Sequence, residues 1–324
     1  MKLVITDCDH DAITEEREVA DRYGASLVRA DAHSPEQIVA ACQDADGILV
    51  QYAQITDEVM ARLPRLRVIG RYGVGVDTVD IAAATRRRIA VCNVPDYGTE
   101  SVCDHALALA VALVRQVGLA DKRVRQGQPE LDALRPIHLY HELTFGVLGC
   151  GRIGTATARK ARALGFRVQV CDLLATSDRW HDLPAVSLDQ LFTGSDIVSV
   201  HTPLNDSTHH LVNAARLAQM RPTGYLVNTS RGPVVDTDAL IAAIDSGALA
   251  GAGLDVHETE PLPADSPLLT MDRVLLTPHI AWYSEQTYGE LKRRTAENVA
   301  EYLSGRRPRD LYNPDVLSQE GLPR

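Results

Sequence analysis

Short apolar runs alternate with amphipathic segments along the first hundred residues of the chain. The runs KLVIT, SLVRA, GILVQ, RVIGRYG and IAVCNV are rich in β-branched residues, as is typical of buried strands. Between them, the segments near 14–24, 35–44, 56–62 and 78–86 have the apolar spacing of helices. Strands separated by helices need crossover connections, so this region predicts a parallel sheet.

A long apolar-rich segment, residues 99–117, leads towards a second alternating region. It predicts one buried connecting helix, on which His105 is most simply a core or interface residue. From about 144 to 280, the runs TFGVL, RVQVCD, DIVSV, GYLVN, GAGLDV and RVLLT predict a second parallel sheet. The segment near 287–304 has a helical pattern that stops at Gly305. The fold class is therefore α/β, with two doubly wound parallel-sheet domains.

Composition narrows the classes of function. The chain has 324 residues, enough for two domains, and 33 basic against 43 acidic residues give it a net charge of −10. No basic patch is evident, which argues against nucleic-acid binding. Six scattered cysteines without a CxxC pair indicate reduced thiols rather than disulfides or a metal site. The acidic N-terminus and the lack of a long apolar run predict a cytoplasmic protein without membrane contact.

The segment GCGRIG follows one predicted strand and opens a helix. Its glycines have the G-x-G-x-x-G spacing of a dinucleotide-binding turn. Gly149 would permit the tight turn, Gly151 would let the backbone approach a pyrophosphate, and Gly154 would let the helix pack closely on the strand. Arg152 and Ile153 begin the helix, whose free N–H groups and positive dipole end favour phosphate binding. The spacing alone is a weak signal, and its strand–turn–helix context strengthens it.

The next predicted strand ends in Asp172, about 20 residues after the turn, as in NAD sites. Its carboxylate would accept a hydrogen bond from the ribose 2′-hydroxyl and repel a 2′-phosphate. No arginine follows until Arg179. The sequence therefore favours NAD over NADP as the cofactor.

Charged side chains follow three late strands of the second predicted sheet. Arg231 follows YLVN, Glu260 follows GAGLDV, and His279 follows RVLLT. Because ligands bind at the carboxyl ends of parallel strands, these side chains are expected at the edge that carries the glycine-rich turn. Trp282 and Tyr283, just beyond, would exclude water or pack at a domain junction.

These residue types suit the interconversion of a 2-oxo acid and a 2-hydroxy acid. A guanidinium binds a carboxylate as a planar fork and polarises a neighbouring carbonyl. A histidine can give a proton to the oxygen that becomes the hydroxyl, and a nearby carboxylate would orient it and favour its protonated form. We therefore interpret Arg231, Glu260 and His279 as the catalytic set, with hydride supplied by a nicotinamide.

The chain resembles the D-isomer-specific 2-hydroxyacid dehydrogenases over nearly its whole length. The motifs that carry the resemblance are RYGVGVDTVDI, VCNVPDYGTESVCDHALAL, GVLGCGRIG, VNTSRGPVVD, GLDVHETEPLP and TPHIAWYSEQ. The last two, with THHLVN, are most similar to the C-terminal-binding-protein branch, which includes dinucleotide-sensing corepressors as well as bacterial enzymes. The resemblance implies the same catalytic set.

The resemblance also implies further site residues. The backbone N–H groups of Val74 and Gly75 would hold the substrate carboxylate, for which small residues are suited. Asp255 would meet the nicotinamide carboxamide, and Thr202 and Pro203 would line the cofactor site. Two more side chains would face the substrate: Arg71 and Trp282. If the register of the carboxylate is shifted, the alternatives are His257 and Glu258.

The family fold places a Rossmann cofactor domain inside a flavodoxin-like substrate domain. The implied division is 1–99 plus 287–324 for the substrate domain and 100–286 for the NAD domain, usually with a homodimer built on the latter. The main alternatives are a dinucleotide sensor without turnover and a dehydrogenase of a small inorganic or one-carbon anion. The substrate stays open, because Arg71 suits a second anionic group whereas Trp282 suits an apolar one.

Overall fold

A computed structural model describes residues 1–9, 12–172 and 182–320 of the protein, with the side chains of 318–320 left out. Arg179, used above to weigh NADP, lies outside the described residues. The chain forms two compact units. Unit 1 comprises Met1–Gly98 and Ser284–Arg324, and unit 2 comprises Thr99–Tyr283. The assignment of separate functions to the two predicted domains stays a prediction.

Eleven strands are present among the described residues. They are β1 Lys2–Asp7, β2 Ser26–Arg29, β3 Gly47–Val50, β4 Val68–Arg71, β5 Ala90–Cys92, β6 Thr144–Leu148, β7 Arg167–Cys171, β8 Ile197–Val200, β9 Tyr225–Asn228, β10 Gly251–Leu254 and β11 Val274–Leu276. The α-helices of the described residues are α1 Thr14–Arg22, α2 Pro35–Cys42, α3 Asp57–Ala61, α4 Ile81–Arg86, α5 Thr99–Val114, α6 Val117–Arg125, α7 Arg152–Ala163, α8 Leu188–Gly194, α9 Ala214–Leu217, α10 Thr237–Asp245, α11 Glu285–Leu303 and α12 Asp315–Glu320.

Unit 1 is a five-stranded parallel sheet in the order β2-β1-β3-β4-β5. This is the flavodoxin-like order, and β1, β3, β4 and β5 lie almost completely buried between helices. One apolar core includes Ile38, Ile48 and Ile69, all fully buried. The prediction of a parallel α/β sheet for this region is confirmed.

Unit 2 is a six-stranded parallel sheet in the order β11-β10-β9-β8-β6-β7. The strand order reverses beside β6, so the carboxyl ends of β6 and β8 flank the topological switch point, where ligands bind in such folds. The sheet carries α5 and α7 on one side, with a core around Phe145 and Phe166, and α8 to α10 on the other. The Rossmann-like prediction for this region is also confirmed.

The prediction of one helix over 99–117 is wrong at its end. The helix α5 stops at Val114, and Gln116 takes a left-handed conformation with φ of +52°. A new helix, α6, then runs from Val117 to Arg125 at 58° to α5. A non-glycine residue in the left-handed region ends the run of helical hydrogen bonds, and apolar composition alone gives no sign of it.

Among the described residues, no single helix is long and apolar enough to cross a membrane. The bent pair of α5 and α6 meets the criteria of length and composition only when the two are taken together. Eight residues of α5 are buried, and this helix packs against β9, β10 and α7 within unit 2.

The six cysteines are free thiols, and five of them are buried. Burial raises the pKa of Cys42 and Cys150 to about 12, so these side chains are protonated and unreactive near neutral pH. This state agrees with the interpretation of the cysteines as reduced core residues.

Candidate active site

The glycine-rich turn between β6 and α7 is tightly packed. Gly149 has φ of +92°, and a Cβ there would lie 2.8 Å from the carbonyl carbon of His201. A Cβ on Gly154 would lie 1.9 Å from the carbonyl oxygen of Gly149, so the helix could not approach the turn with a larger residue. A Cβ on Gly151 would meet open space, which leaves the backbone accessible at the start of α7. The packing thus leaves no room for a side chain at Gly149 or Gly154, while the roles of the three glycines towards a dinucleotide stay predictions.

Asp172 lies at the end of β7 and holds the turn. The N–H of Cys150 donates to Oδ2 of Asp172 at 2.7 Å, and the N–H of Gly149 donates to the carbonyl of Cys171 at 2.8 Å. The sequence did not indicate this structural role, because nothing in the spacing shows which backbone groups the carboxylate meets.

The turn and its surroundings fit a bound dinucleotide. Arg152 and Ile153 begin α7 directly after Gly151, so their N–H groups lie at the positive end of the helix. Nearby, Thr202 is 6% exposed, and its Oγ1 has no hydrogen-bond partner among the described residues. A buried hydroxyl without a partner is costly and suits a site that a polar ligand completes. Pro203 follows, and its carbonyl accepts from Thr208 at 2.7 Å.

His201, beside the turn, gives a pH-dependent contribution to stability. Burial lowers its pKa from 6.5 to about 4, and its Nε2 lies 2.8 Å from Oγ of buried Ser199. Between those pH values the unfolded chain binds a proton at His201 that the folded chain does not bind. The contribution of the neutral His201 to the free energy of unfolding is therefore complete above pH 6.5 and is lost as the pH falls towards 4.

We therefore expect the free energy of unfolding of the wild type to fall by up to about 3 kcal/mol more than that of His201→Asn between pH 7 and pH 4. Urea denaturation at several pH values measures this difference. His209→Asn, at an exposed neighbouring position, is the control and should follow the wild type. Parallel pH dependence of wild type and His201→Asn would contradict the assignment.

The loop after β11 holds His279 in a fixed position. His279 has φ of +55°, its N–H donates to the carbonyl of Asp255 at 2.8 Å, and its own carbonyl accepts from the indole N–H of Trp282 at 2.8 Å. Trp282 in turn packs edge-on against Tyr283, with ring centroids 5.7 Å apart. The backbone of this histidine is thus fixed on both sides, and Trp282 has a structural role that its pattern did not reveal.

Glu260 and His279 are in direct contact. Nδ1 of the imidazole lies 2.8 Å from Oε2 of Glu260, and Oε1 of Glu260 accepts from the N–H of His257 at 2.9 Å. Burial raises the pKa of the Glu260 carboxyl, but the hydrogen bonds and positive charge of His279 outweigh this effect and leave the pKa below its usual value. Since Nδ1 is engaged, Nε2 is the ring nitrogen left to exchange a proton with a ligand.

Arg231 lies on the adjoining loop after β9. Asn228 organises this loop, because its Nδ2 donates to the carbonyl of Arg231 at 2.9 Å and its Oδ1 accepts from Ser230. A Cβ on Gly232 would lie 2.0 Å from the carbonyl carbon of His257, so the loops after β9 and β10 touch at this point. The structure thus brings the segments of all three predicted catalytic residues to one edge of the sheet.

Asp255, 1% exposed, forms the base of the His279 loop. Its Oδ1 accepts from the Thr277 hydroxyl at 2.6 Å and from the Ile280 N–H at 2.9 Å, and its Oδ2 accepts from the Ala281 N–H at 2.9 Å. A contact with the nicotinamide carboxamide, implied by the resemblance, stays a prediction. The carboxylate already stabilises the loop from within.

The alternative acidic residue, Glu258, has a different partner. Its Oε1 contacts Nε2 of His210, and its Oε2 accepts from the N–H of Thr237 at 3.3 Å. Of the two glutamates, Glu260 is therefore the one that contacts His279. The side chain of His257 has a buried Nδ1 without a partner among the described residues.

In unit 1, the loop after β4 carries Val74 and Gly75. Asn93 donates from Nδ2 to the carbonyl of Val74 at 2.7 Å, and the carbonyl of Gly73 accepts from the N–H of Val94 at 2.9 Å. The N–H groups of Val74 and Gly75 make no hydrogen bond to any described residue. Arg71 is half-buried at the end of β4, close to Gly73.

The described ranges contain no cluster of three or more His, Cys, Asp or Glu side chains that could hold a metal ion.

Comparisons with known proteins identify the family. The model of the D-isomer specific 2-hydroxyacid dehydrogenase NAD-binding domain matches residues 107–281. A glyoxylate reductase of Korarchaeum cryptofilum is 39% identical over 291 residues, which cover 88% of this chain and 87% of the relative. A glyoxylate/hydroxypyruvate reductase B of Yersinia pestis is 35% identical, covering 87% of this chain and 88% of the relative.

Solved structures agree with this result. The D-lactate dehydrogenase of Aquifex aeolicus, complexed with NAD and lactic acid, is 28% identical with a TM-score of 0.83, and the match covers 98% of each chain. The α/β fold described above is thus that of a known enzyme family. The chain belongs to the D-isomer-specific 2-hydroxyacid dehydrogenases, and it is an NAD-dependent enzyme that reduces a 2-oxo acid to a 2-hydroxy acid.

Proposed function

We propose that His279 is the acid that protonates the substrate oxygen and that Glu260 orients it. The observation that carries this proposal is the 2.8 Å contact between Nδ1 of His279 and Oε2 of Glu260. With Nδ1 engaged, the proton is given from Nε2, and the carboxylate stabilises the positive charge of the ring before transfer. In the reverse direction the neutral ring accepts the proton of the hydroxyl.

Arg231 binds the substrate carboxylate and polarises the carbonyl. Its guanidinium offers several donors in one plane, which suits two oxygens at once. The Asn228–Ser230 hydrogen bonds support this role, because they fix the backbone from which the side chain extends. A carbonyl so polarised accepts a hydride more readily, because negative charge develops on its oxygen.

NAD is held by the turn at Gly149, Gly151 and Gly154, with the N–H groups of Arg152 and Ile153 at its phosphates. Asp172, Thr202, Pro203 and Asp255 complete the proposed cofactor set. When bound as NADH, the cofactor supplies the hydride. The open space at Gly151 and the unpartnered Oγ1 of Thr202 support this assignment.

The substrate is a small 2-oxo acid whose carboxylate is held by the N–H groups of Val74 and Gly75. Their freedom from hydrogen bonds to described residues supports this assignment. Arg71 and Trp282 determine what the rest of the substrate can be. The relatives named as glyoxylate and glyoxylate/hydroxypyruvate reductases favour a short, polar substrate.

NADH oxidation against a panel of 2-oxo acids tests the proposal. The panel contains glyoxylate, hydroxypyruvate, pyruvate, phenylpyruvate, oxaloacetate and phosphonopyruvate, each repeated with NADPH. We expect the highest kcat/KM with glyoxylate or hydroxypyruvate. Tight NADH binding without turnover on any substrate would instead support a dinucleotide sensor. The resemblance to the C-terminal-binding-protein branch stays a prediction, since the relatives named above are reductases and dehydrogenases.

Cofactor choice can be tested at Asp172. Replacing Asp172 with asparagine removes the charge that repels a 2′-phosphate but keeps an oxygen for the Cys150 N–H. We expect the preference of kcat/KM for NADH over NADPH to fall about tenfold. Asp172→Ala should also weaken binding of both dinucleotides, because the turn loses its support. Asp189→Asn, at an exposed aspartate paired with Arg216, is the control, and unchanged preference in Asp172→Asn would contradict the role.

We also propose a cytoplasmic homodimer built on unit 2. The free thiols support a reducing compartment. Five large apolar side chains among the described residues of unit 2 are more than half exposed. One is Leu269, and the other four lie between residues 117 and 139: Val117, Val124, Leu131 and Leu139. Exposed apolar side chains concentrated in this way are typical of a subunit interface. We expect light scattering to give the mass of a dimer for the wild type and a lower mass, closer to that of the monomer, for Val124→Glu. Val28→Glu, at an exposed valine of unit 1, is the control and should keep the mass of the wild type.

A further inference from the structure

His105, on α5, lies against the base of the loop that carries His279. Its Nε2 is 2.9 Å from Oγ1 of Thr277 and 3.5 Å from Oδ1 of Asp255. The imidazole is 22% exposed, and its helix packs firmly against the sheet of unit 2. The side chain of His105 thus connects α5 to the loop that carries His279.

The direction of the hydrogen bonds follows from the number of protons available. The Thr277 hydroxyl has one proton, and at 2.6 Å it donates this proton to Oδ1 of Asp255. Towards His105 the same oxygen can only accept. Nε2 of His105 therefore carries a proton, and the three side chains form a chain from imidazole to hydroxyl to carboxylate.

These hydrogen bonds from His105 through Thr277 to Asp255 support a backbone conformation that is unfavourable by itself. His279 is a non-glycine residue at φ of +55°, and such residues persist when their surroundings hold them. Asp255 provides that support by accepting from Thr277, Ile280 and Ala281. His105 adds a hydrogen bond from outside the loop, since its Nε2 on α5 donates to the hydroxyl oxygen of Thr277.

We propose that His105 is a positioning residue for the reaction, which holds His279 in its productive place through Thr277 and Asp255. The proposal rests on the catalytic role proposed for His279. His105 does not exchange a proton with the substrate. Its effect is on the rate of the chemical step rather than on the binding of NADH.

The test compares His105→Leu with His105→Gln in the full-length protein. Leucine fills the space but cannot donate, whereas the glutamine amide can donate from about the position of Nε2. We expect kcat to fall about tenfold in His105→Leu, with unchanged NADH affinity, and to return to within about threefold of the wild type in His105→Gln. Hydrogen exchange measured by mass spectrometry should be faster than in the wild type over residues 277–283 in His105→Leu, but not in His105→Gln.

Thr277→Val is the second variant, because it breaks the same chain while His105 stays in place. It should give a loss of kcat similar to that of His105→Leu, and the double variant should lose little more. His33→Leu, at an exposed histidine of unit 1, is the control and should leave kcat unchanged.

Unchanged kcat in His105→Leu, or a loss of kcat without faster exchange over 277–283, would overturn the inference. Full turnover in His279→Ala would instead overturn the role of His279, and the exchange measurement would still report whether His105 holds the loop.

Discussion

Replacing His279 with alanine is expected to lower kcat about a thousandfold, within the range that general acid catalysis contributes. The ring is the proposed source of the substrate proton, and Nδ1 is held by Glu260 at 2.8 Å. NADH affinity should change less than about twofold, because His279 has no proposed role in holding the dinucleotide. Steady-state kinetics with the best 2-oxo acid and titration of NADH fluorescence measure the two quantities.

The chain offers a matched control in a second histidine–glutamate pair. His210 contacts Glu258 as His279 contacts Glu260, and both glutamates lie on the same loop. His210→Ala should keep kcat within about threefold of the wild type, as surface ion pairs contribute little. If His210→Ala lost turnover and His279→Ala kept it, Glu258 rather than Glu260 would be the glutamate that takes part in catalysis. Equal losses of kcat and NADH affinity in His279→Ala would indicate a structural residue.

Replacing Arg231 with lysine is expected to lower kcat/KM about a hundredfold to a thousandfold although the positive charge is kept. The guanidinium can bind the carboxylate and the carbonyl oxygen together, whereas an ammonium is a point charge that cannot present two parallel donors. The loss should be seen both in the KM for the 2-oxo acid and in kcat, with NADH affinity unchanged. Stopped-flow and steady-state assays with glyoxylate and pyruvate measure it.

Arg221→Lys is the control for this substitution. Arg221 pairs with Asp196 at 2.6 Å, and Asp196 lies directly before β8, at the amino end of the strands rather than the carboxyl end. Its replacement should leave kcat/KM within about twofold, as expected for a partly exposed ion pair. A similar loss in both variants would show that the effect of Arg231→Lys is general destabilisation.

Much of the fold could be predicted because the sequence repeats simple patterns. The alternation of apolar runs and amphipathic segments gave both parallel sheets, since crossover connections leave few other topologies. The order of charged residues after strands placed Glu260 and His279 at one edge, and the structure brings them into contact. These features are local in sequence or follow from a general rule about strand ends.

Other features could not be predicted because they depend on which groups meet across the fold. The hydrogen bond from the Cys150 N–H to Asp172 joins residues that are 22 positions apart, and no sequence motif predicts it. The same holds for Asp255, whose two oxygens organise a loop more than twenty residues later. The end of α5 depends on one left-handed residue, Gln116, for which the apolar pattern gives no signal.

The contact at Gly232 limits how this enzyme can be redesigned. Any side chain at this position would overlap the peptide between His257 and Glu258, with 2.0 Å to the carbonyl oxygen of His257. Because this overlap is with backbone atoms, no substitution of a neighbouring side chain can remove it. Libraries that seek new substrates should therefore leave Gly232 unchanged and vary Arg71, whose proposed contact is with the variable part of the substrate. Trp282 should be kept, because its indole N–H holds the carbonyl of His279.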